Sequence, residues 1–255
     1  MIPHLNRMRT SVKWRAKRQG RICSMCGRYR LSRPKYLVEY FDAEAEEEDF
    51  RASYNIAPTR AVATLRSGAE KRVLSNMRWG LIPWWAKDIA IGNRMINARG
   101  ETVLKNAAFR DSFRQRRCLI PADGFYEWQK AGKTRRPFHF GMKDESLFAF
   151  AGIWDRWKSP EGKLLESCSI LTTTPNDLVK DIHDRMPVIL PQAHYEPWLT
   201  VPPPQADGLL EMLAPFDANL MRKHEVSPLV NRPENDSPEC VVEAIGVGTN
   251  LELWG

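Results

Sequence analysis

The stretch RICSMCGRYR, residues 21–30, holds Cys23 and Cys26 two positions apart, and within it Met25-Cys26-Gly27-Arg28 would make a good protein start. Two thiols at this spacing could ligate a metal or cycle through a disulfide. Alternatively, Cys26 matters because it could be a chain terminus. Structural zinc needs about four ligands, normally from a second such pair or a pair of histidines. Here Cys118, Cys168 and Cys240 stand alone and no H-x-x-x-H follows. A redox C-x-x-C belongs between a strand and a helix start, yet the upstream flank is a basic tail. Neither a metal nor a cofactor is expected.

Other polar residues sit where chemistry could use them. In MINARGET, Asn97, Arg99 and Glu101 alternate, so in an extended segment they share one face. In ADGFYEW, Glu127 lies between Tyr126 and Trp128. Aromatic flanks can desolvate a carboxyl and raise its pKa, which suits proton transfer. His183 and Arg185 fall together in DIHDRMP. Taken singly, each is more often a surface ion pair or a structural residue. The adjacent indoles of Trp84 and Trp85 could stack bases of a single strand, although most of the nine tryptophans must fill the core. Arg28, Arg30, Arg94 and Arg99 could meet phosphates, but composition does not show that they converge.

The net charge of +7 suggests nucleic acid until it is located. Seven of the 38 basic residues and none of the 31 acidic ones fall within residues 1–25, so the remainder carries 31 of each. Bulk charge of the body therefore says nothing about DNA binding, and only a local patch could. Five cysteines, odd in number and widely spread, fit a reduced cytosolic or nuclear protein better than a disulfide scaffold. No apolar run approaches the length that spans a bilayer, so no membrane association is expected.

Several elements must position these residues. Residues 1–24 read as a basic extension: a disordered tail, an organelle-targeting leader, or sequence upstream of the true start. PKYLVEYFD (34–42) predicts a short helix and DAEAEEED (42–49) a solvated surface segment. AVATLR and RVLSNMRWG predict a hairpin, and LIPWWAKD an aromatic loop. A helix is expected over 102–115, strand–turn–strand over RCLIPADGFYEW (117–128), and strands at RPFHFGM, LFAFAGIW and SCSILTTT. PNDLVKDIH (175–183) and GLLEMLAPF predict helices, VPPPQ (201–205) a loop and CVVEAI a late strand. The sum is a single α+β domain on mainly antiparallel sheet.

The motifs MCGRYR, YNIAPT, RWGLIPWWAKD, MINARGET, RRCLIPADGFYEW, DIHDRMPVIL and VSPLVN occur in one order. In that order the chain resembles the SOS-response-associated peptidase (SRAP) family of abasic-site-processing proteins. The likeness spans nearly the whole body and implies a SRAP domain over 25–250, with a barrel-like β core and inserted helices. It further implies a protein that crosslinks itself to the ring-opened aldehyde of an abasic site in single-stranded DNA. Cys26, exposed by loss of Met25, would close a thiazolidine through its amine and thiol. Glu127 and His183 would move protons during sugar opening and imine formation, with their roles interchangeable, and Asn97 would hold the amine or sugar. Arg28, Arg99 and Arg185 would lie near phosphates, Trp84 and Trp85 would stack bases, and Pro58 would wedge at a junction. A monomer working with the replication machinery is expected, cytoplasmic and nucleoid-associated if the source is a bacterium. A peptidase or lyase-type activity is implied too. A thiol autopeptidase that removes its own leader and a non-catalytic single-strand-binding module are the alternatives. The chain departs from the family in placing 25 residues before Cys26, so that as written Cys26 carries a peptide nitrogen.

Overall fold

The strands follow where apolar residues alternate with polar ones. The outer half of FAFAGIWDRWK is the plainest case: Ile153, Asp155 and Trp157 are buried while Trp154, Arg156 and Lys158 face outward. The computed structural model describes residues 26–47, 49–132 and 134–244. The basic extension 1–24, Cys23, Met25 and the end of the expected domain lie outside them. In chain order the strands are β1 (Tyr29–Leu31), β2 (Ala43–Ala45), β3 (Ser53–Ile56), β4 (Ala61–Arg66), β5 (Arg72–Trp79), β6 (Asn97–Arg99) and β7 (Arg117–Ala122). Then come β8 (Gly124–Ala131), β9 (Thr134–Met142), β10 (Phe148–Lys158), β11 (Leu164–Thr173), β12 (Met186–Pro187), β13 (Ile189–Leu190) and β14 (Met221–Glu225). Three short helices, α1 (Leu37–Tyr40), α2 (Arg110–Gln115) and α3 (Tyr195–Thr200), are inserted among them.

Five strands close on themselves. β5, β4, β7, β10 and β11 pair in that order as antiparallel neighbours, and β11 returns to β5 through the parallel pairs Ser167–Arg78 and Cys168–Trp79. This closed ring is the expected barrel, and closure leaves its strands without open edges. A second, open sheet runs β14-β9-β8-β1-β3. Aromatic contacts join the two: Tyr29 meets Trp79 and Phe150 with centroids 5.3 and 5.7 Å apart, and Phe125, stacked on Phe140 of its own sheet at 4.9 Å, reaches Phe150 at 6.3 Å. Each such pair is worth about 0.5–1.5 kcal/mol beyond its buried area.

The chain crosses from barrel to open sheet between β7 and β8. Asp123 sits at this crossing with its side chain fully buried, held by Arg30 Nε at 2.7 Å and by Ser32 N and Oγ at 2.9 and 2.6 Å. Gly124 is required next, because a Cβ there would lie 1.9 Å from His139 Nε2. The expected turn is therefore a switch between sheets, and it sends β8, with Glu127, to the side where β1 arrives.

Some expectations fail locally. Over 102–115 only α2 is α-helical; Asn106 Oδ1 accepts the Ala108 N–H at 3.0 Å and breaks the run. Residues 175–183 make successive turns rather than a helix. There Asn176 Oδ1 accepts from Leu178 N and Val179 N at 3.1 Å each, while its Nδ2 donates to Phe216 O at 2.8 Å. The helix expected at 208–216 is a 3₁₀ segment, Pro203–Met212, which begins inside the expected proline loop. The late strand is instead a 3₁₀ turn at Pro238–Val241 followed by a single bridge, Val226 to Glu243, and Ile245 lies outside the described residues. The acidic run is largely exposed but contributes β2, parallel to β5.

Candidate active site

β1 and β8 pair antiparallel, Tyr29 opposite Phe125, and Tyr126 N donates to Arg28 O at 3.0 Å. Continuing this register back along β1 brings Cys26 beside Glu127. The Cys26 nitrogen donates to Glu127 Oε1 at 2.7 Å across a sequence separation of 101 residues. Cys26 takes a φ of +46° to make that turn, a left-handed conformation that a non-glycine residue adopts at a cost of about 1–2 kcal/mol. β6 approaches from the barrel side, parallel to β11, and Asn97 at its start donates Nδ2 to Cys26 O at 3.4 Å. The main chain of Cys26 is thus held at its nitrogen by the open sheet and at its carbonyl by a strand of the barrel side.

Burial sets the electrostatics. Glu127 is 2% exposed, and desolvation raises its carboxyl pKa above the ordinary value. The charge of His183 and the hydrogen bonds from Cys26 act the other way. The Cys26 thiol, 4% exposed, is pushed well above its ordinary value by burial and then by the Glu127 charge. At neutral pH it is a thiol, not a thiolate.

His183 and Arg185 follow the turns after β11 and lie within electrostatic reach of the pair, His183 acting on Glu127 and Arg185 on Cys26. His183 Nδ1 sits 3.1 Å from both the Arg185 N–H and Asp184 Oδ1. Arg185 is turned inward. It clasps Glu101 with both terminal nitrogens, at 2.6 and 2.9 Å, and donates to Thr172 O at 2.7 Å. The Arg185 guanidinium in turn holds the Glu101 carboxyl below the ordinary range. Sequence reading noted Glu101 in its alternation but gave it no role.

The remaining residues stand apart from this cluster. Arg28 is half-buried. Its Nη1 donates to Asn55 Oδ1 at 2.8 Å and Val230 O at 2.9 Å, and its guanidinium lies over Trp128 at 5.6 Å. Asn55, fully buried, was missed in the sequence although it sits inside YNIAPT; its Nδ2 faces the carbonyls of Val230, Arg232 and Asn235. Pro58 is in the turn after β3, and Arg99 is exposed at the end of β6. Trp84 and Trp85 are 63% and 47% exposed, whereas Trp79, Trp157 and Trp198 are buried. Among the described residues no three His, Cys, Asp or Glu side chains converge to hold a metal, and no helix is long and apolar enough to cross a membrane.

A closed barrel with an open sheet beside it, a cysteine main chain clamped between them and a buried glutamate on its nitrogen define a class of protein. The chain belongs to the SRAP family: the family model described as SOS response associated peptidase matches residues 25–233. It is similar to "Abasic site processing protein YoqW" of Bacillus subtilis (strain 168), 44% identical over 221 residues covering 85% of this chain and 99% of the relative. It is also similar to "Abasic site processing protein HMCES" of Gallus gallus, 31% identical over 267 residues covering 92% of this chain and 76% of that one. Among solved structures, a protein from Bacteroides thetaiotaomicron superposes with a TM-score of 0.78 at 27% identity, covering 86% of this chain and all of that one. One from Bordetella bronchiseptica gives 0.69 at 29% identity, covering 79% of this chain and all of that one.

Proposed function

We propose that this chain processes abasic sites in single-stranded DNA, and that a form beginning at Cys26 does so by joining itself covalently to the lesion. The relatives' names support abasic-site processing. One contact supports the covalent joining: the Cys26 nitrogen lies 2.7 Å from the buried carboxyl of Glu127.

In a chain beginning at Cys26 that nitrogen is an α-amine. Its reference pKa is about 7.7–8.0, against about 10.4 for a lysine, so a useful fraction is free base at neutral pH. Glu127 accepts a proton from the ammonium. The amine attacks C1′ of the ring-opened sugar, and Glu127 returns the proton as the carbinolamine loses water to give an imine. The thiol then adds across the C=N bond, sulfur to carbon and proton to nitrogen, and a five-membered thiazolidine closes. Ring closure is intramolecular and gains from proximity. Burial suits this order, because a desolvated carboxyl at hydrogen-bond distance from the nitrogen can take its proton and return it directly. A neutral thiol waits for the imine rather than attacking first. A leader-cleaving peptidase would need the thiolate, which burial disfavours here.

Asn97 fixes the Cys26 carbonyl and so aims the amine. His183, beside Glu127, serves the sugar hydroxyl during ring opening. Trp84 and Trp85 present faces on which bases of the strand stack, and Arg99 meets a phosphate. The test compares the full chain, retaining Met1, with a form beginning at Cys26. Each is incubated with single-stranded DNA carrying an abasic aldehyde. The Cys26 form is expected to give a heat-stable band whose mass is protein plus DNA less one water, and Cys26→Ala none. A full chain that crosslinks equally well with Met1 still attached would defeat the aminothiol mechanism.

A further inference from the structure

Two indoles as exposed as Trp84 and Trp85 usually sit on loops that move. Here the loop beneath them is tied down by side chains. As the chain leaves β5, Gly80 at φ +122° turns it across the barrel wall, and its N–H bonds Cys168 O at 2.8 Å. From there alternate residues are fastened to β10 and β11. Ile82 N donates to Ser167 Oγ at 2.8 Å, Trp84 N donates to Asp155 Oδ2 at 3.0 Å, and Trp157 Nε1 donates to Ala86 O at 2.6 Å. Asp155 and Ser167 are directly opposed across β10 and β11, and Asp155 and Trp157 lie two apart on one face of β10. All three are buried, at 4%, 0% and 5% exposure. Asp155 is itself fixed: Oδ1 accepts from Arg156 N at 2.8 Å and pairs with Arg116 Nε at 3.2 Å.

Burying a carboxylate without compensation is costly, and nothing in the barrel's own ladder calls for one at this position. Its second oxygen is spent on a single loop amide, that of the more exposed tryptophan. We propose that Asp155, seconded by Trp157, is a positioning residue for DNA binding: it locks the 82–86 loop so that Trp84 and Trp85 form a rigid stacking platform. A fixed platform binds more tightly because less ordering remains to be done on association. The inference rests on the reading that these indoles stack bases.

The test uses the full chain and a single-stranded oligonucleotide carrying a tetrahydrofuran abasic analogue, which has no aldehyde, so affinity is measured without crosslinking. Amide exchange across 81–90 is followed in parallel. Asp155→Asn keeps the shape but provides one acceptor oxygen in place of two. It is expected to speed exchange at Trp84 at least tenfold and weaken DNA binding about fivefold. Trp157→Phe, which keeps the ring and loses only the N–H, is expected to act in the same direction about twofold if the aspartate variant folds poorly. In the Trp84→Ala/Trp85→Ala background, itself at least tenfold weaker, neither change should weaken binding further, a non-additivity that a merely structural defect would not produce. Unchanged exchange at Trp84, or the same fivefold loss in the double-alanine background, overturns the inference. Unchanged affinity on removing both indoles, or no binding by the parent chain, overturns the stacking reading and the inference with it. Loss on removing the indoles but none with Asp155→Asn or Trp157→Phe overturns the inference alone.

Discussion

The open sheet and the barrel solve opposite problems. On the open sheet, Cys26 and Glu127 are almost wholly buried, and burial itself adjusts them by raising the carboxyl and keeping the thiol protonated. On the barrel, Trp84 and Trp85 stand in solvent, and the buried groups lie underneath, holding the loop by its main chain. The difference teaches where each kind of work is done. Proton transfer needs a desolvated group at the reacting atom, whereas base stacking needs an exposed face with no freedom to move.

The comparison breaks most easily at Glu127. Glu127→Gln in a chain beginning at Cys26 keeps a hydrogen-bond acceptor for the nitrogen but removes the proton carrier. Crosslinking at saturating DNA should slow by about 10²–10⁴-fold, the usual worth of general acid–base catalysis, with affinity for the tetrahydrofuran strand little changed. Removing both indoles should do the reverse, raising the DNA concentration for half-maximal rate while leaving the saturated rate within about twofold. If both variants fell in both quantities, the two regions would not be separable.

Next in size is Asn55→Ala. It removes one of the two acceptors of Arg28 Nη1 and the side-chain donor to the carbonyls of Arg232 and Asn235, while Val230 O keeps Arg28, and should cost about 2 kcal/mol of stability through unsatisfied buried groups, read as a lower denaturation midpoint. Because Arg28 lies two residues from Cys26, the crosslinking rate should fall with it. A rate that held while stability dropped would show that the Arg28 anchor does not aim the amine.

Asn55 also marks the limit of what the sequence discloses. The β4–β5 hairpin and strands β10 and β11 were legible as strand-forming runs, and Cys26 and Glu127 stood out by their motifs and settings. That these two touch was not legible, because the contact needs the sheet switch at Asp123-Gly124 and the left-handed turn at Cys26. Nor could residue type alone reveal that Arg28 and Arg185 point inward. An arginine in a motif shared with a DNA-binding family suggests phosphate, but the guanidinium goes to whichever acceptors the fold brings near, here Asn55 and Val230 for one and Glu101 for the other. The helix expected at 102–115 shortened to α2 and that at 175–183 gave way to turns for a local reason, since Asn106 and Asn176 turn their side chains onto the backbone and interrupt the helical bonding.

The smallest effect is also the most discriminating, because its sign depends on what Cys26 carries. In the full chain the Cys26 nitrogen is a neutral amide, and burial holds the Glu127 pKa above its ordinary value. A carboxyl raised on folding binds its proton more tightly in the native state. Its contribution to stability is therefore whole below the unfolded value and is lost as pH rises through the folded one, at about 1.4 kcal/mol per pH unit of separation. Glu127→Gln removes that loss, so in the full chain it should stabilise, and the gain should grow from about pH 4.5 upward. In a chain beginning at Cys26 the nitrogen is an ammonium at hydrogen-bond distance from the same carboxylate. The opposite charge pulls the carboxyl down and leaves the amine dependent on it. There Glu127→Gln should destabilise at neutral pH, because it strands a buried ammonium. Thermal midpoints of the two forms, each with and without the substitution, between pH 4 and 8 decide the matter. The same sign in both would mean that the Cys26 nitrogen is not the charge Glu127 is placed to meet.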